Sequence, residues 1–581
     1  MYTSREVYEF ISEQTNDPII ERKNCAVSGQ PFAIFQSDLD FYNKISPTFA
    51  GQKFQIPAPT LCPEERAKRR LCRRNESKLY KRSDVGKVAL SIYSPDKIYN
   101  IVSSEYRRSD SWDPFDYGFS FDKQKGFFEQ FQQLIFTVPT IALNVMGNEN
   151  CDYVNCCGYS KNCYLSYNVD YSENMLYSSN CLKCSDGVDL YQCHSCVLCY
   201  ESIDLHNCYK LWYSQSCSDC KDSWFLSHCH NCDNCYGCIN LTNQSFCIFN
   251  KQYTKEEYEK EMLKLSSDSF NEQQNLVTSF FKIQIYRSYN GEMSNWCIGN
   301  YMSHDNNVVQ WFDTHKSEYT KYTWVLDSVQ HSQDRDHTWY NGAWCYQLSS
   351  CGDNIYNTAF SVNVWSGSDN VYYCILCIGI KDCFGCVGLR NKQYCIFNKQ
   401  YTKEAYEKEV AEIINHMEVI WERWEFFPSQ LSPFGYNETL AQEYYPLSQS
   451  WAFQEWFHRS TYSRDPEIPS DITLIRCWYD IMPILEEITS HTINTYIFVC
   501  KESQRPYRLT LQEVNFYKKY HLSIPELHPD IRHQKRVDMR QWRILHLRRC
   551  DRCNKELLSA YSLNYEGKVY CEECYQQTFY S

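Results

Sequence analysis

Between Cys163 and Phe246 apolar residues return at every twelfth position. One column of the repeat reads Cys184, Cys196, Cys208, Cys220 and Cys232. A second, three residues earlier in each unit, reads Val169, Cys181, Cys193, Leu205, Cys217, Cys229 and Leu241. A third reads Tyr164, Leu176, Val188, Tyr200, Trp212, Trp224 and Tyr236. A fixed short period with apolar columns predicts stacked coils, each too small to bury a core of its own. Other outward columns, with Leu165, Tyr177, Tyr213 and Phe225, would offer apolar and aromatic contacts to a partner.

The same signal occurs twice. The segment Cys235 to Glu261 returns from Cys383 to Glu409, with Cys-Ile-Phe-Asn-Lys-Gln-Tyr-Thr-Lys-Glu intact. Two solenoids are therefore expected, each closed by a helix that hides its last open sheet edge. Thr254 with Glu257 predicts a capping box at the first closing helix; at the second, Thr402 faces Ala405 and keeps only the cap. The second solenoid reads as irregular. Counting back by twelve from Phe384 gives Tyr372, Phe360 and Leu348, and then the register is lost. Its earlier turns read as longer, with loops such as Ser332–His337. Helical spacing of Phe127, Phe128, Phe131, Leu134 and Ile135 predicts a helix that Pro139 stops.

The end of the chain reads as a copy of its beginning. Leu39–Lys44 matches Val514–Lys519, and Pro59–Pro63 matches Pro525–Pro529, with His528 where Cys62 stands. Arg66, Arg70 and Arg74 fall opposite Arg532, Arg536 and Arg540. The expected division is a module with a basic helix over 1–107, a helical connector over 108–150, and the first solenoid over 151–253. A capping helix and connector follow over 254–290, then the second solenoid over 291–401. A helical, aromatic stretch over 402–496 carries Trp421, Trp424, Trp451, Trp456 and Trp478, and a last module fills 497–581.

The chain has 581 residues, a formal net charge of -13 and 16% aromatic residues. That aromatic content argues against disorder, and the acidic balance argues against a chain that is basic all over and coats nucleic acid. No apolar run reaches the ~18 residues of a membrane span, and the opening residues carry Arg5, Glu6 and Glu9 where a secretory leader would be apolar. A cytoplasmic location is the expectation, and with it 34 reduced cysteines.

The sharpest metal signal is Cys550-Asp-Arg-Cys553 with Cys571-Glu-Glu-Cys574. The spacing C-x2-C-x17-C-x2-C suits a closed, structural four-thiolate Zn2+ site, pictured as two knuckles on facing hairpins. A module this small rarely folds without such a staple. Cys500 and His528 would supply part of a second site. The solenoid pairs Cys181/Cys184, Cys193/Cys196, Cys217/Cys220 and Cys229/Cys232 leave three readings open: a ladder of buried thiols, metal ligands shared between coils, or redox disulfides. Iron–sulfur ligation is set aside.

Arg66, Arg70 and Arg73, and likewise Arg532, Arg536, Arg540 and Arg543, recur at helical intervals. Each set would make a basic face for phosphate backbones, with salt-sensitive affinity, or would pair with the acidic solenoids. Phosphate-loop, zinc-protease and serine-hydrolase motifs do not occur. His304, Asp305, Asp313, His315, His331, Asp334, Asp336 and His337 form one cluster with acid–base character, ranked last as an active site.

The order of these motifs resembles a family of uncharacterised, cysteine-rich proteins known from the genomes of ultrasmall uncultivated bacteria of the candidate phyla radiation. The resemblance spans nearly the whole chain and implies zinc-ribbon-like modules at both ends. The amino-terminal module departs from that plan: its first pair reads Cys25-Ala-Val-Ser28, and later pairs appear as Ser83 to Gly86 and Val102 to Glu105. The expected fold is mainly β with helices: two short-period β-solenoids flanked by small α+β zinc-ribbon-like modules. The expected role is a non-enzymatic, zinc-containing scaffold for a macromolecular partner. The alternatives are a nucleic-acid or ribonucleoprotein factor and a thiol-rich metal store.

Overall fold

The computed structural model describes residues 2–82, 90–266, 269–338, 340–422, 424–461, 468, 473–476 and 485–579. Its centre is a pair of parallel β-solenoids. One runs from the strand Val145–Met146 to Lys251–Gln252, the other from Gly291–Glu292 to Lys399–Gln400, and each forms a 12-stranded sheet. The first therefore starts six residues before its expected boundary. In-register pairs such as Cys181 with Cys193 and Ser185 with Val197 set the 12-residue coil.

The coil is built from triplets. Every third residue has positive φ, as in Asn162, Leu165, Asn168, Tyr171, Asn174 and Tyr177, so each coil has four corners. The residue after each corner points inward: Cys163, Ser166, Val169, Ser172, Met175 and Ser178 are all buried. The left-handed corner costs a non-glycine residue about 1 kcal/mol. Coil-to-coil hydrogen bonds offset it, because the corner N–H reaches the coil before (Tyr177 to the Tyr164 carbonyl, 3.0 Å) and the next wall residue reaches the coil after (Tyr164 to the Met175 carbonyl, 2.9 Å). Asparagines at successive corners add side-chain ladders, Asn150 to Asn162 at 2.8 Å and Asn162 to Asn174 at 3.0 Å.

The second solenoid keeps this plan with three inserted corner residues. Adjacent positive-φ pairs at Tyr340/Asn341, Asp353/Asn354 and Ser366/Gly367 lengthen three coils by one residue each, so Tyr372 pairs with Ala359 and Ala359 with Tyr346. The sequence count through Phe360 and Leu348 is therefore corrected. Phe360 is a corner residue with φ 53°. The earlier coils are not longer: Glu318 pairs with Gln330, which is the ordinary coil length. Ser332–His337 is no loop but lies within the strand Val329–Thr338.

Both closing helices form as the caps predict. Lys255–Leu265 carries the Thr254/Glu257 capping box, whereas Lys403–Val419 has only the Thr402 cap. The helix Phe127–Thr137 buries Phe127, Phe128 and Phe131 with Lys403–Val419 against the second solenoid. Between Val419 and Tyr496 the described chain holds short helical turns, the longest of them Gln449–Gln454, and the strand Thr473–Arg476. Trp478 and the Ser83–Gly86 pair lie outside the described residues.

The terminal modules dock crosswise. The amino-terminal hairpin (Ile19–Asn24 with Pro31–Phe35) and its helix Pro63–Leu71 cover the second solenoid. The carboxy-terminal helices Leu511–Tyr520 and Pro529–Met539 cover the first, where Leu176, Tyr177, Val188, Tyr200 and Trp212 pack on Tyr517 and Leu522. The aromatic columns expected to meet a partner thus meet the chain itself: Tyr177 and Phe225 are buried, and Leu165 and Tyr213 partly so. Among the described residues no helix is long and apolar enough to cross a membrane.

Candidate metal centre

Three copies of one small unit occupy the chain ends. Each begins with a strand that runs into a tight knuckle: Cys25, Cys500 and Cys550 donate their N–H to the carbonyl five residues on, at 2.8, 2.9 and 2.9 Å. In each, the N–H after the cysteine reaches across to the segment leading into a helix, Ala26 to Thr60, Lys501 to Glu526 and Asp551 to Val569, all at 3.1 Å. The helix then starts directly after Cys62, His528 or Cys571. Sequence comparison found two of these units; the third, inside the last module, emerges from the hydrogen bonding.

Only the last unit carries four thiols. The ligand atoms of Cys550, Cys553, Cys571 and Cys574 lie within 4.8 Å of one another, the one such group of cysteine, histidine and carboxylate side chains among the described residues. Cys553 and Cys571 stand 3.7 Å apart. Tetrahedral ligation with 2.3 Å metal–sulfur bonds puts sulfurs about 3.8 Å apart, so the donor set fits one ion. The second pair does not sit on a hairpin, as the spacing suggested, but on the first turn of the helix Glu572–Phe579. Burial raises the Cys550 thiol, but the N–H groups of Cys553, Cys571 and Arg552 outweigh it and bring it down to about 6. Burial and the three neighbouring thiols push Cys574 up to about 12. The unit is pinned to the first solenoid by the Tyr575 hydroxyl, which donates to Asn240 at 3.0 Å.

The other two units have lost the set. In the first, Cys25 and Cys62 remain beside Ser28, 3.8 Å from the Cys62 sulfur, and Glu65 in the fourth place accepts from Lys68 and Tyr2. In the second, Ser503 and Ile531 stand at ligand positions, and the His528 ring accepts the Asp530 N–H as a helix cap. Cys500 and His528 therefore form no second four-ligand site.

The solenoid pairs do not gather either. Cys181, Cys184, Cys193, Cys196, Cys217, Cys220, Cys229 and Cys232 line the lumen. Each donates its S–H to a carbonyl two residues back, as Cys181 does to Ser179 at 3.4 Å and Cys196 to His194 at 3.3 Å. Lumenal serines use the same geometry, as Ser178 does to Leu176 at 2.9 Å. The runs Cys193-x2-Cys196-x2-Cys199 and Cys229-x2-Cys232-x2-Cys235-x2-Cys238, which the sequence reading passed over, follow from the triplet. Successive cysteines face inward from different walls, and no three of them lie within 4.8 Å of one another.

The arginine faces are not free for phosphate. Arg66 pairs with Asp334 at 2.9 Å, and Arg70 with Asp334 at 2.9 Å and Asp336 at 2.6 Å. Arg532 pairs with Asp189, and Arg536 with Asp189 at 2.9 Å and Glu201 at 3.1 Å. Arg540 bridges both solenoids through Asp204 at 3.0 Å and Asp313, which Arg543 also holds at 2.7 Å. The two dockings repeat in detail: Arg66 lies over Tyr322, one coil before Asp334, and Arg532 over Tyr177, one coil before Asp189. These residues are buried clamps rather than a nucleic-acid surface, because the acidic solenoid corners neutralise them. Arg73 alone in these sets makes no ion pair among the described residues; it packs 4.6 Å from the Phe427 ring.

The same pairs absorb the histidine–aspartate cluster. Asp313, Asp334 and Asp336 are clamp acids, and Asp305 accepts from Ser303, Thr314 and Ser317. His304 and His315 meet edge-on, and His331 stacks between Tyr319 and Trp344. His337 is buried, which lowers its pKa far below the usual value and keeps it neutral. No known family model matches this chain, and no curated protein matches it.

Proposed function

We propose that this protein is a non-enzymatic scaffold, stapled by one zinc ion at Cys550, Cys553, Cys571 and Cys574, that offers solenoid walls to a macromolecular partner. The observation that carries this reading is the use of charge. Carboxylates otherwise available for chemistry are held by arginine clamps, which lock two solenoids into one body. The wall left in water is mainly polar and repeats every coil, with Lys183, His206, Asn207, Asp219, His230 and Asn231 exposed along it after Tyr159 and Tyr171 at its start. Repeating walls of this kind are where solenoid proteins bind partners. A metal store would need many thiol clusters, and among the described residues the thiols converge once.

Two measurements on the full chain test the reading. Elemental analysis under reducing conditions should give one zinc per chain, lost in Cys553→Ser and kept in Cys196→Ser. No zinc, or about three per chain, would overturn the single staple. Purified under native conditions, the chain should carry a macromolecule at fixed stoichiometry that His206→Glu with His230→Glu releases. A chain that purifies alone and monodisperse contradicts the scaffold.

A further inference from the structure

Arg73 draws attention to a cleft of about 400 Å3 away from both the metal centre and the clamps. It lies where the first coil of the first solenoid, the second solenoid and the amino-terminal region meet. Arg73, Arg74, Arg107, Arg108 and Arg390 line it against a single carboxylate, Glu76, which Arg74 holds. Three of these arginines are more than nine-tenths buried, at 7%, 9% and 6% exposure for Arg73, Arg74 and Arg107. Each of the three has a donor without a partner among the described residues: Nε and Nη2 of Arg73, Nη1 of Arg74, and Nε of Arg107. The clamp arginines Arg532, Arg536 and Arg543 also leave one donor each without a partner, but every one of them is paired with a carboxylate, whereas Arg73 and Arg107 have no such pair among the described residues.

Burying a charged donor without a partner is costly, and an anion in the cleft would remove that cost for three groups at once. Most of the remaining lining is apolar and aromatic, with Tyr93, Tyr99, Trp365 and Leu376 among it, beside the amides of Asn144, Asn155 and Asn363. Tyr93 is held in place by stacking on Phe434 at 5.2 Å. Burial lowers Arg73, and burial with Arg390 and Arg108 brings Arg107 down to about 10, consistent with positive charge that lacks a counter-ion. Pockets that combine an apolar lining with a few convergent charged groups hold small organic ligands, and guanidinium forks favour carboxylate and phosphate.

We propose that this cleft binds a small organic anion, its carboxylate or phosphate group held by Arg73, Arg74 and Arg107 and its apolar body lying against Tyr93 and Trp365. An acyl carboxylate and a nucleoside monophosphate share this chemistry, and competition separates them.

The test titrates the full-length protein with 8-anilinonaphthalene-1-sulfonate, an apolar fluorescent anion. Saturable binding at one site per chain is expected. Displacement by decanoate but not decanol identifies an acyl carboxylate, and displacement by adenosine monophosphate but not adenosine identifies a nucleotide. Arg73→Met and Arg107→Met should each weaken binding at least tenfold without lowering the thermal midpoint, since each removes an unpaired buried charge. Trp365→Glu, which adds a carboxylate to the half-buried lining of the same cleft, should weaken binding similarly and serves if an arginine variant fails to fold. Binding that is not saturable, that neutral analogues compete equally, or that survives all three substitutions overturns the proposal.

Discussion

At the residue scale the solenoid is governed by which side chain fits the third position of a triplet. The lumen accepts cysteine and serine alike because both donate to the carbonyl two residues back; Cys196 does so at 3.3 Å and Ser202 at 2.8 Å. Cysteine adds apolar volume, so Cys196→Ser should cost under about 1.5 kcal/mol, within the range for exchange of small, similar groups. Gly187 is different. A β-carbon there would stand 2.7 Å from Leu190 and 2.8 Å from Met175. Gly187→Val should therefore cost about 1–3 kcal/mol in overpacking, read as a lower urea midpoint. Equal effects for the two variants would contradict a lumen sized for thiols.

The 12-residue columns were legible because lumenal cysteine and valine differ sharply from polar corners. The three-residue period beneath them was harder to see. The inward position alternates among Cys, Ser, Leu and Gly, so a search for apolar residues alone skips Ser166, Ser178, Ser202 and Ser214. Those serines point inward as fully as the cysteines do, satisfied by backbone carbonyls.

At the scale of elements, the arginine helices act by placing guanidinium groups one turn apart over acidic corners. Aspartate suits such a corner, since it tolerates the left-handed region better than most residues; Asp189, Asp204, Asp313 and Asp334 all have positive φ. Burial raises Asp204 more than Arg540 lowers it, leaving it at about 7. An acid whose folded pKa lies above its unfolded value, roughly 3.9, stabilises the fold fully below that value. That contribution is lost as pH rises towards 7. Asp204→Asn should therefore flatten the decline in thermal midpoint between pH 4 and pH 7 that this group gives the natural chain, where Asn keeps the shape without the titration. A slope unchanged by the substitution would remove Asp204 as its source. The sequence displayed the helical spacing of the arginines but not their partners, because Asp189 and Asp334 lie hundreds of residues away and look like surface residues.

At the scale of the whole molecule, the chain is a duplicated module-and-solenoid pair whose modules have exchanged partners. The amino-terminal module clamps the second solenoid and the carboxy-terminal helices clamp the first, over sequence separations of 268 residues for Arg66–Asp334 and 343 for Arg532–Asp189. Such long-range closure must be made before it stabilises anything, so folding should be slow and depend on both ends. The sequence revealed the duplication through Leu39–Lys44 and Val514–Lys519, yet not the crossing. Nothing in a repeat says which copy a module will cover.

The crossed clamp is the claim on which the rest stands, and a double-mutant cycle between Arg532 and Asp189 tests it most directly. Arg532→Met alone should cost about 3–5 kcal/mol, because it takes a cation from two buried carboxylates, Glu513 and Asp189, and leaves Asp189 with Arg536 alone. Combined with Asp189→Asn, the double variant should cost about 2 kcal/mol less than the two single costs summed, a coupling only residues in contact display. Single-variant costs that add to within about 0.5 kcal/mol would mean the two residues do not meet, and would contradict the crossed architecture.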